Sequence, residues 1–406
     1  MEKITNQTHP KETFLYAISR TLERTSYYGF RAMIVLYMID GIFEMESKEA
    51  LSVYGWITAS LIFSRIIGAI LGDLIIGNKK AIILGGIIQS LGAFIICIPS
   101  TTGLYVGLFF IILGSGLYTP NIISNFGKLY LNKTKLLDAG FTIFYLAVNL
   151  GAFIGVATIA YIGEEYGWNI GFIIAGIVML LSIIPILISK EKKIEVAVDN
   201  SITISQRIIN ISIAIVIVGI FWAIYEIRYY GFFDLQIKLS EISTLNIPRS
   251  MWQSSNTIFL LPITILAIIL WTLYYNNQFF KLTIGFIFGA LSFGILLLIP
   301  EIPSEKDIVL YFLSLLFLSI SEIHIAPIIY SILTQFTKPK YLAILISLAF
   351  IPIRIFSAIL VLFNDKFYEN PVFASKFGMI AMVICSIGLI TFTIWNKKIT
   401  YNNGHS

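Results

Sequence analysis

The sequence predicts an all-α, polytopic membrane protein of twelve spanning helices arranged as two six-helix bundles. Two observations carry that prediction. Of 406 residues, 57% are hydrophobic and only 13% charged, with a mean hydropathy of +0.85. Soluble domains carry roughly twice that charged fraction, so the chain lacks the polar residues to cover a water-facing surface. Second, apolar runs long enough to cross a bilayer, about 20 residues each, recur from end to end. Soluble enzymes, disulfide scaffolds and disordered chains are thereby excluded.

Taken in order, the expected spans are 12–43, 50–76, 80–99, 103–131, 138–163, 169–189, 207–232, 250–275, 280–299, 307–336, 340–364 and 374–395. Nearly every gap holds a turn or charge signal, such as Gly77-Asn78-Lys79-Lys80, Asn132-Lys133-Thr134-Lys135 and Lys338-Pro339-Lys340. The most polar internal stretch begins Lys190-Glu191-Lys192-Lys193 and divides the spans six and six. The expected organisation is therefore an N-terminal bundle at 1–189, a cytoplasmic linker at 190–206, and a C-terminal bundle at 207–406 with a short cytoplasmic tail.

Lysine and arginine set the orientation. With the N-terminus cytoplasmic, sixteen fall in inside segments, six outside and six within spans. Both termini are expected inside, in a bacterial inner (plasma) membrane. The net charge of +5 is then loop topology, and no nucleic-acid partner is expected. Cys97 and Cys385 sit in apolar runs and read as inert thiols. No phosphate-binding loop of the Walker type is present, which argues against ATP-driven transport. No cofactor or metal site is expected, and the expected state is a monomer. A membrane enzyme would need a carboxylate pair, a His-Asp combination or metal ligands at a membrane face, and the sequence offers none, so the expectation is a non-enzyme. A 6+6 layout suits two bundles rocking about a midplane site, the arrangement of secondary transporters.

The informative residues are ionisable groups inside spans, because each is costly in hydrocarbon and must face protein or water. The first span carries Arg20, Glu23, Arg24, Tyr27, Tyr28 and Arg31; positions 20, 24, 27 and 31 share one helical face. The seventh holds Trp222, Glu226 and Arg228, the tenth Glu322 and His324, and the second and eleventh Arg65 and Arg354. Six in-span arginines against three acids clear of the span ends (Glu23, Glu226, Glu322) would suit a carboxylate-bearing solute. Glu226 and Glu322 are each open to two readings, a structural ion pair or a proton site. His324 reads as a packing or helix-bonding histidine, and Trp222 as either core or pocket lining.

At Glu23-Arg24-Thr25-Ser26-Tyr27-Tyr28-Gly29-Phe30-Arg31 the chain resembles the proton-dependent oligopeptide transporter (POT) family of the major facilitator superfamily, whose first helix carries Glu-x-x-Glu-Arg-Phe-x-Tyr-Tyr-Gly followed by an arginine. Gly72-Asp73 with Gly77-Asn78-Lys79-Lys80 is similar to the family's loop between helices two and three. Thr119-Pro120-Asn121 is similar to its fourth-helix Pro-Asn motif, and Phe144-Tyr145 with Asn149 and Gly151 to its fifth-helix signature. Trp222 with Glu226, Asn256, and Ser321-Glu322 with Ala326-Pro327 carry the likeness into the second half.

The resemblance implies a twelve-helix facilitator fold and proton-coupled uptake of di- or tripeptides by alternating access. It implies that Tyr27, Tyr28 and Arg31 line the site, the arginine meeting the peptide carboxylate. Asn149 and Asn256 would bond the peptide backbone or termini, Trp222 would line the pocket, and Glu322 would receive the amino group. Glu23, Arg24, Glu226 and Asp73 would serve proton coupling and gating, Asp73 by capping or pairing across helices on the cytoplasmic side. Two departures count against strict coupling. Arg20 stands where the motif has its first glutamate, and Thr119 where many members have a lysine. The other reading is therefore a facilitator-fold carrier of another organic or inorganic anion, or a uniporter.

Overall fold

The computed structural model describes residues 2–4, 7–40, 43–190, 203–243, 252 and 255–403. Among these, ten helices are long and apolar enough to cross a membrane: α2 (Ser47–Ile76), α3 (Asn78–Ile96), α4 (Thr101–Lys128), α5 (Thr134–Tyr166), α6 (Trp168–Ile188), α7 (Ile204–Arg228), α9 (Gln278–Leu296), α10 (Asp307–Phe336), α11 (Pro339–Val361) and α12 (Pro371–Asn396). Two more complete the series. α1 (Glu12–Asp40) has the length but carries the charge stripe, and α8 (Ile258–Leu273) is a shorter apolar helix. Of the expected eighth span, starting at 250, Trp252 is helical and the helix Ser255–Leu273 follows.

Local chemistry fixes several helix ends. The Ser100 hydroxyl accepts the Gly103 amide at the start of α4, and the Asn277 side chain accepts the Phe279 amide at the start of α9, each satisfying a donor that has no partner within the helix. The turn from α2 to α3 passes through Gly77 at φ +87°, a backbone region in which a side chain is strained.

Two compact units result. The first comprises Gln7–Ile202 together with Leu333–Leu348; the second comprises Met1–Asn6, Thr203–Ile332 and Ala349–Ser406. Most of the expected linker at 190–206 lies outside the described residues. Within the first unit, hydroxyls join helices by donating to backbone carbonyls: Ser26 to Ala175 and Ser19 to Ser182 link α1 to α6, Ser64 to Ile112 links α2 to α4, and Ser90 to Gly176 links α3 to α6. Such bonds serve where helices gain little from leaving a lipid that is as apolar as they are. Met33, Ile34, Tyr37, Ile96, Leu104 and Phe172 fill the space between α1, α3, α4 and α6.

α5 lies close on α1. A Cβ at Gly155 would stand 2.9 Å from the Gly29 backbone nitrogen, so only glycine admits this approach. The same segment, Gly155–Ala160, winds as a π-helix, as does Leu71–Ile76 at the end of α2. π-turns of this kind concentrate at functional positions. In the second unit α10 is interrupted between Ile323 and Ile328, where Pro327 removes an amide and His324 Nδ1 meets the Ile320 carbonyl at 2.8 Å. The His324 ring also meets Trp271 edge-on at 5.4 Å, in keeping with a helix-bonding histidine.

Candidate functional site

The charge stripe of α1 divides into two parts. In the lower part Glu23, fully buried, is clamped by two guanidiniums. Arg20 Nη1 lies 3.0 Å from its Oε2, at the i,i+3 spacing that lets the two meet, and Arg24 Nε donates to the same oxygen at 2.6 Å while Arg24 Nη2 reaches Oε1. Arg24 Nη2 also donates to Thr119 Oγ1 at 3.3 Å. Arg20 lies over the Phe144 ring at 5.3 Å and Arg24 over Tyr27 at 4.7 Å. Both carboxylate oxygens are thus engaged by a fork whose geometry matches a carboxylate.

Seven residues further along the same helix, Arg31 is exposed. Its Nε donates to the Tyr54 hydroxyl from α2, and its guanidinium lies 5.7 Å from the Tyr54 ring and 6.0 Å from that of Tyr28. Tyr27 and Tyr28 meet edge to face at 5.5 Å, both half-buried. Among the described residues no partner engages the two terminal nitrogens of Arg31, and these are the pair that would bind a carboxylate bidentately. Tyr54 is absent from the residues singled out by sequence. One aromatic on an apolar helix reads as packing, and the sequence contains no signal that would have found it.

Asn149 lies on α5, half-buried, with its side-chain amide donating to the carbonyl of Tyr145 one turn back at 3.0 Å. Asp73 belongs to a separate group. Its Oδ1 accepts from Asn78 Nδ2 at 2.9 Å and lies 3.7 Å from Lys128 Nζ, and its Oδ2 accepts the backbone amide of Ile344 at 3.0 Å. Asn78 in turn donates to Asn121 Oδ1 at 2.7 Å, and Asn121 donates to the Gly68 carbonyl at 2.9 Å. The Gly-Asp loop and the Pro-Asn motif, read separately in sequence, form one network that captures the first turn of the helix Leu342–Leu348.

In the second unit, Glu322 is buried on α10 beside the helix break and accepts a hydrogen bond from the Tyr225 hydroxyl of α7 at 2.9 Å. Trp222 packs on Tyr225 at 5.2 Å and is half-buried. Glu226, next in sequence, is half-buried on the same helix. Arg228 is buried, with Nη1 donating to Ser292 Oγ and Ser314 Oγ, both at 2.7 Å. Tyr225 is the functional candidate missed here; its position beside Glu226 was the available signal. Asn256 lies on the helix Ser255–Leu273, and its side chain is outside the described residues. Cys97 and Cys385 are free thiols, and no group of His, Cys, Asp or Glu able to hold a metal occurs among the described residues.

A sequence model of the POT family matches residues 79–216. Among curated proteins, the chain is 30% identical over 197 residues to an uncharacterized transporter, YclF, of Bacillus subtilis, a stretch covering 47% of this chain and 40% of that one. It is 33% identical over 171 residues to a di-/tripeptide transporter of Lactococcus lactis, covering 40% of this chain and 34% of that one. The matches therefore span less than half the length of these relatives. Solved structures resemble nearly all of it. A POT family transporter in complex with a thioalcohol-conjugated peptide gives a TM-score of 0.65 at 22% identity over 98% of this chain and 99% of that one. A peptide transporter POT variant in complex with alafosfalin gives 0.64 at 23% identity over 98% and 97%. This likeness carries the fold alone, the multi-pass helical architecture of those transporters. Within that fold, residues 79–216 carry the sequence pattern of the POT family, to which this part of the chain is similar.

Proposed function

We propose that this chain is a secondary transporter, not an enzyme, that moves di- and tripeptides or peptide-like zwitterions by alternating access with proton coupling. One observation carries the reading: the exposed Arg31, ringed by Tyr27, Tyr28 and Tyr54, holds its terminal nitrogens uncommitted among the described residues. A guanidinium fork of this kind recognises a carboxylate, and within the second unit the buried Glu322 beside Tyr225 is an acid of the kind that pairs with an ammonium. Relatives named as di-/tripeptide transporters support the same solute class. The lysine and arginine distribution supports both termini on the cytoplasmic side of the plasma membrane. Small peptide, protons and bilayer are the partners of a chain working as a monomer.

A second reading keeps the fold and drops proton coupling. The clamp of Arg20 and Arg24 on Glu23, with Thr119 beside it, favours this, because the first-helix carboxylate is already neutralised by two cations. Uptake of labelled dialanine into proteoliposomes tests both. Peptide transport predicts saturable uptake, reduced by about two orders of magnitude in Arg31→Ala, since losing one partner of a charged hydrogen-bonded pair costs about 2–5 kcal/mol. Coupling predicts that an inward proton gradient accelerates it. Saturable uptake indifferent to the gradient selects the second reading, and absence of saturable uptake rejects peptide as solute.

A further inference from the structure

A strongly basic cavity lies in the first unit, away from Arg31 and from Glu23. Its volume is about 810 Å³, and Lys11, Lys128, Lys133, Lys190 and Lys340 stand on its wall with Glu12 as the one carboxylate among the described residues. These lysines come from five separate segments: the stretch before α1, the end of α4, the turn after it, the end of α6 and the start of α11. The fold, not one basic run of sequence, brings them together.

The wall is built rather than loose. Lys133 Nζ donates to the Thr8 carbonyl at 2.5 Å, tying the N-terminal segment to the turn after α4. Tyr130, fully buried, meets His9 Nδ1 at 2.9 Å and Thr13 Oγ1 at 2.7 Å. Lys128 Nζ donates to Asn78 Oδ1 at 2.5 Å. Lys11, Lys190 and Lys340 have no carboxylate within ion-pair distance among the described residues. Several ammonium groups around one water-accessible volume repel each other, and a multivalent anion relieves that repulsion.

We propose that this cavity binds a phosphate-bearing anion of at least two negative charges. Lysine binds phosphate as a point charge from any direction, so ammonium groups converging from several segments suit a polyphosphate or diphosphatidyl group. The volume lies in the range of small-molecule sites, roughly 300–1,000 Å³. The cavity opens beyond the ends of the spans, where either a lipid headgroup or a soluble phosphate can enter. The excess of lysine in the loops of this face accounts for scattered charge, but not for five lysines on one cavity with a single acid. Lys128 also belongs to the Asp73–Asn78 network, so an anion in the cavity competes with Asp73 for one ammonium.

The test uses the full chain in nanodiscs. In phosphatidylcholine discs inorganic triphosphate is titrated against melting temperature; separately, discs doped with cardiolipin are compared with undoped ones by melting and by native mass spectrometry of retained lipid. At least one probe is expected to raise the melting temperature. Lys11→Gln/Lys190→Gln is expected to weaken that effect about 25-fold, at roughly fivefold per lysine. The charge-matched control Lys80→Gln/Lys338→Gln, exposed and outside the cavity, is expected to leave it unchanged. A response to cardiolipin alone assigns the headgroup of a lipid, and a response to triphosphate alone assigns a soluble anion. No response to either probe, or equal loss in the control, overturns the proposal.

Discussion

Arg24 and Arg31 are two turns apart on one helix, yet they do opposite work. Arg24 spends Nε and Nη2 on a carboxylate that no solvent reaches, while Arg31 spends Nε on a phenol and keeps its terminal nitrogens open among the described residues. The difference lies in what stands beside each guanidinium. Both lie by tyrosine rings, which steady a cation without cancelling it, but only Arg24 also has a carboxylate, Glu23 of its own helix, and the Thr119 hydroxyl of α4. A buried pair earns its place only when both partners remain, because removing one leaves an uncompensated charge. The lower part of the stripe is therefore structural in its energetics, and the upper part is available for a ligand.

The largest expected effect breaks the lower part. Glu23→Ala strands two buried guanidiniums and should destabilise the protein by about 3–5 kcal/mol, read as a loss of melting temperature in detergent. Arg31→Ala, made at an exposed position, should shift that temperature by little while reducing uptake about a hundredfold. Equal destabilisation by both would mean that the two arginines are not functionally distinct. Smaller is the effect of Tyr54→Phe, which removes one hydrogen bond to Arg31 and should raise the apparent KM for a dipeptide about fivefold, corresponding to about 1 kcal/mol. An unchanged KM would make Tyr54 a bystander.

The smallest expected effect lies outside the spans. Burial and then the neighbouring Lys133 ammonium hold the His9 imidazole below its ordinary value of 6.5. The unfolded chain therefore takes up a proton first as the medium is acidified. Stability contributed by neutral His9 is present above about pH 6.5 and is lost as pH falls below it. His9→Gln should flatten the dependence of melting temperature on pH in that window. An identical slope in the variant would assign the dependence to other groups.

The spans were legible because twenty apolar residues in a row have few other uses, and because turn residues and lysines punctuate them. The break in α10 was visible as Pro327, and the stripe of α1 as charges at helical spacing. Tyr54 and Tyr225 were not legible as partners, since their hydrogen bonds join different helices and an aromatic residue in a bundle looks the same whether it packs or donates. The bond from the Ile344 amide to Asp73 joins residues 271 positions apart, and a backbone donor leaves no mark in sequence at all. The cavity of five lysines was equally hidden. Each lysine reads as a loop charge, and only the packing of five segments makes them one surface.

The docking of Leu333–Leu348 with Gln7–Ile202 has a practical bearing on how the chain can be divided. Cutting at the polar stretch after Lys190 yields a leading fragment deprived of the piece that supplies an amide to Asp73. That fragment would emerge with a raw seam along α2 and α4. Co-expressed with the trailing fragment it could be mended, because the missing piece arrives in trans and finishes the fold of the other. Split-gene complementation should thus depend on residues in 333–348 more than on any other short segment of the trailing fragment.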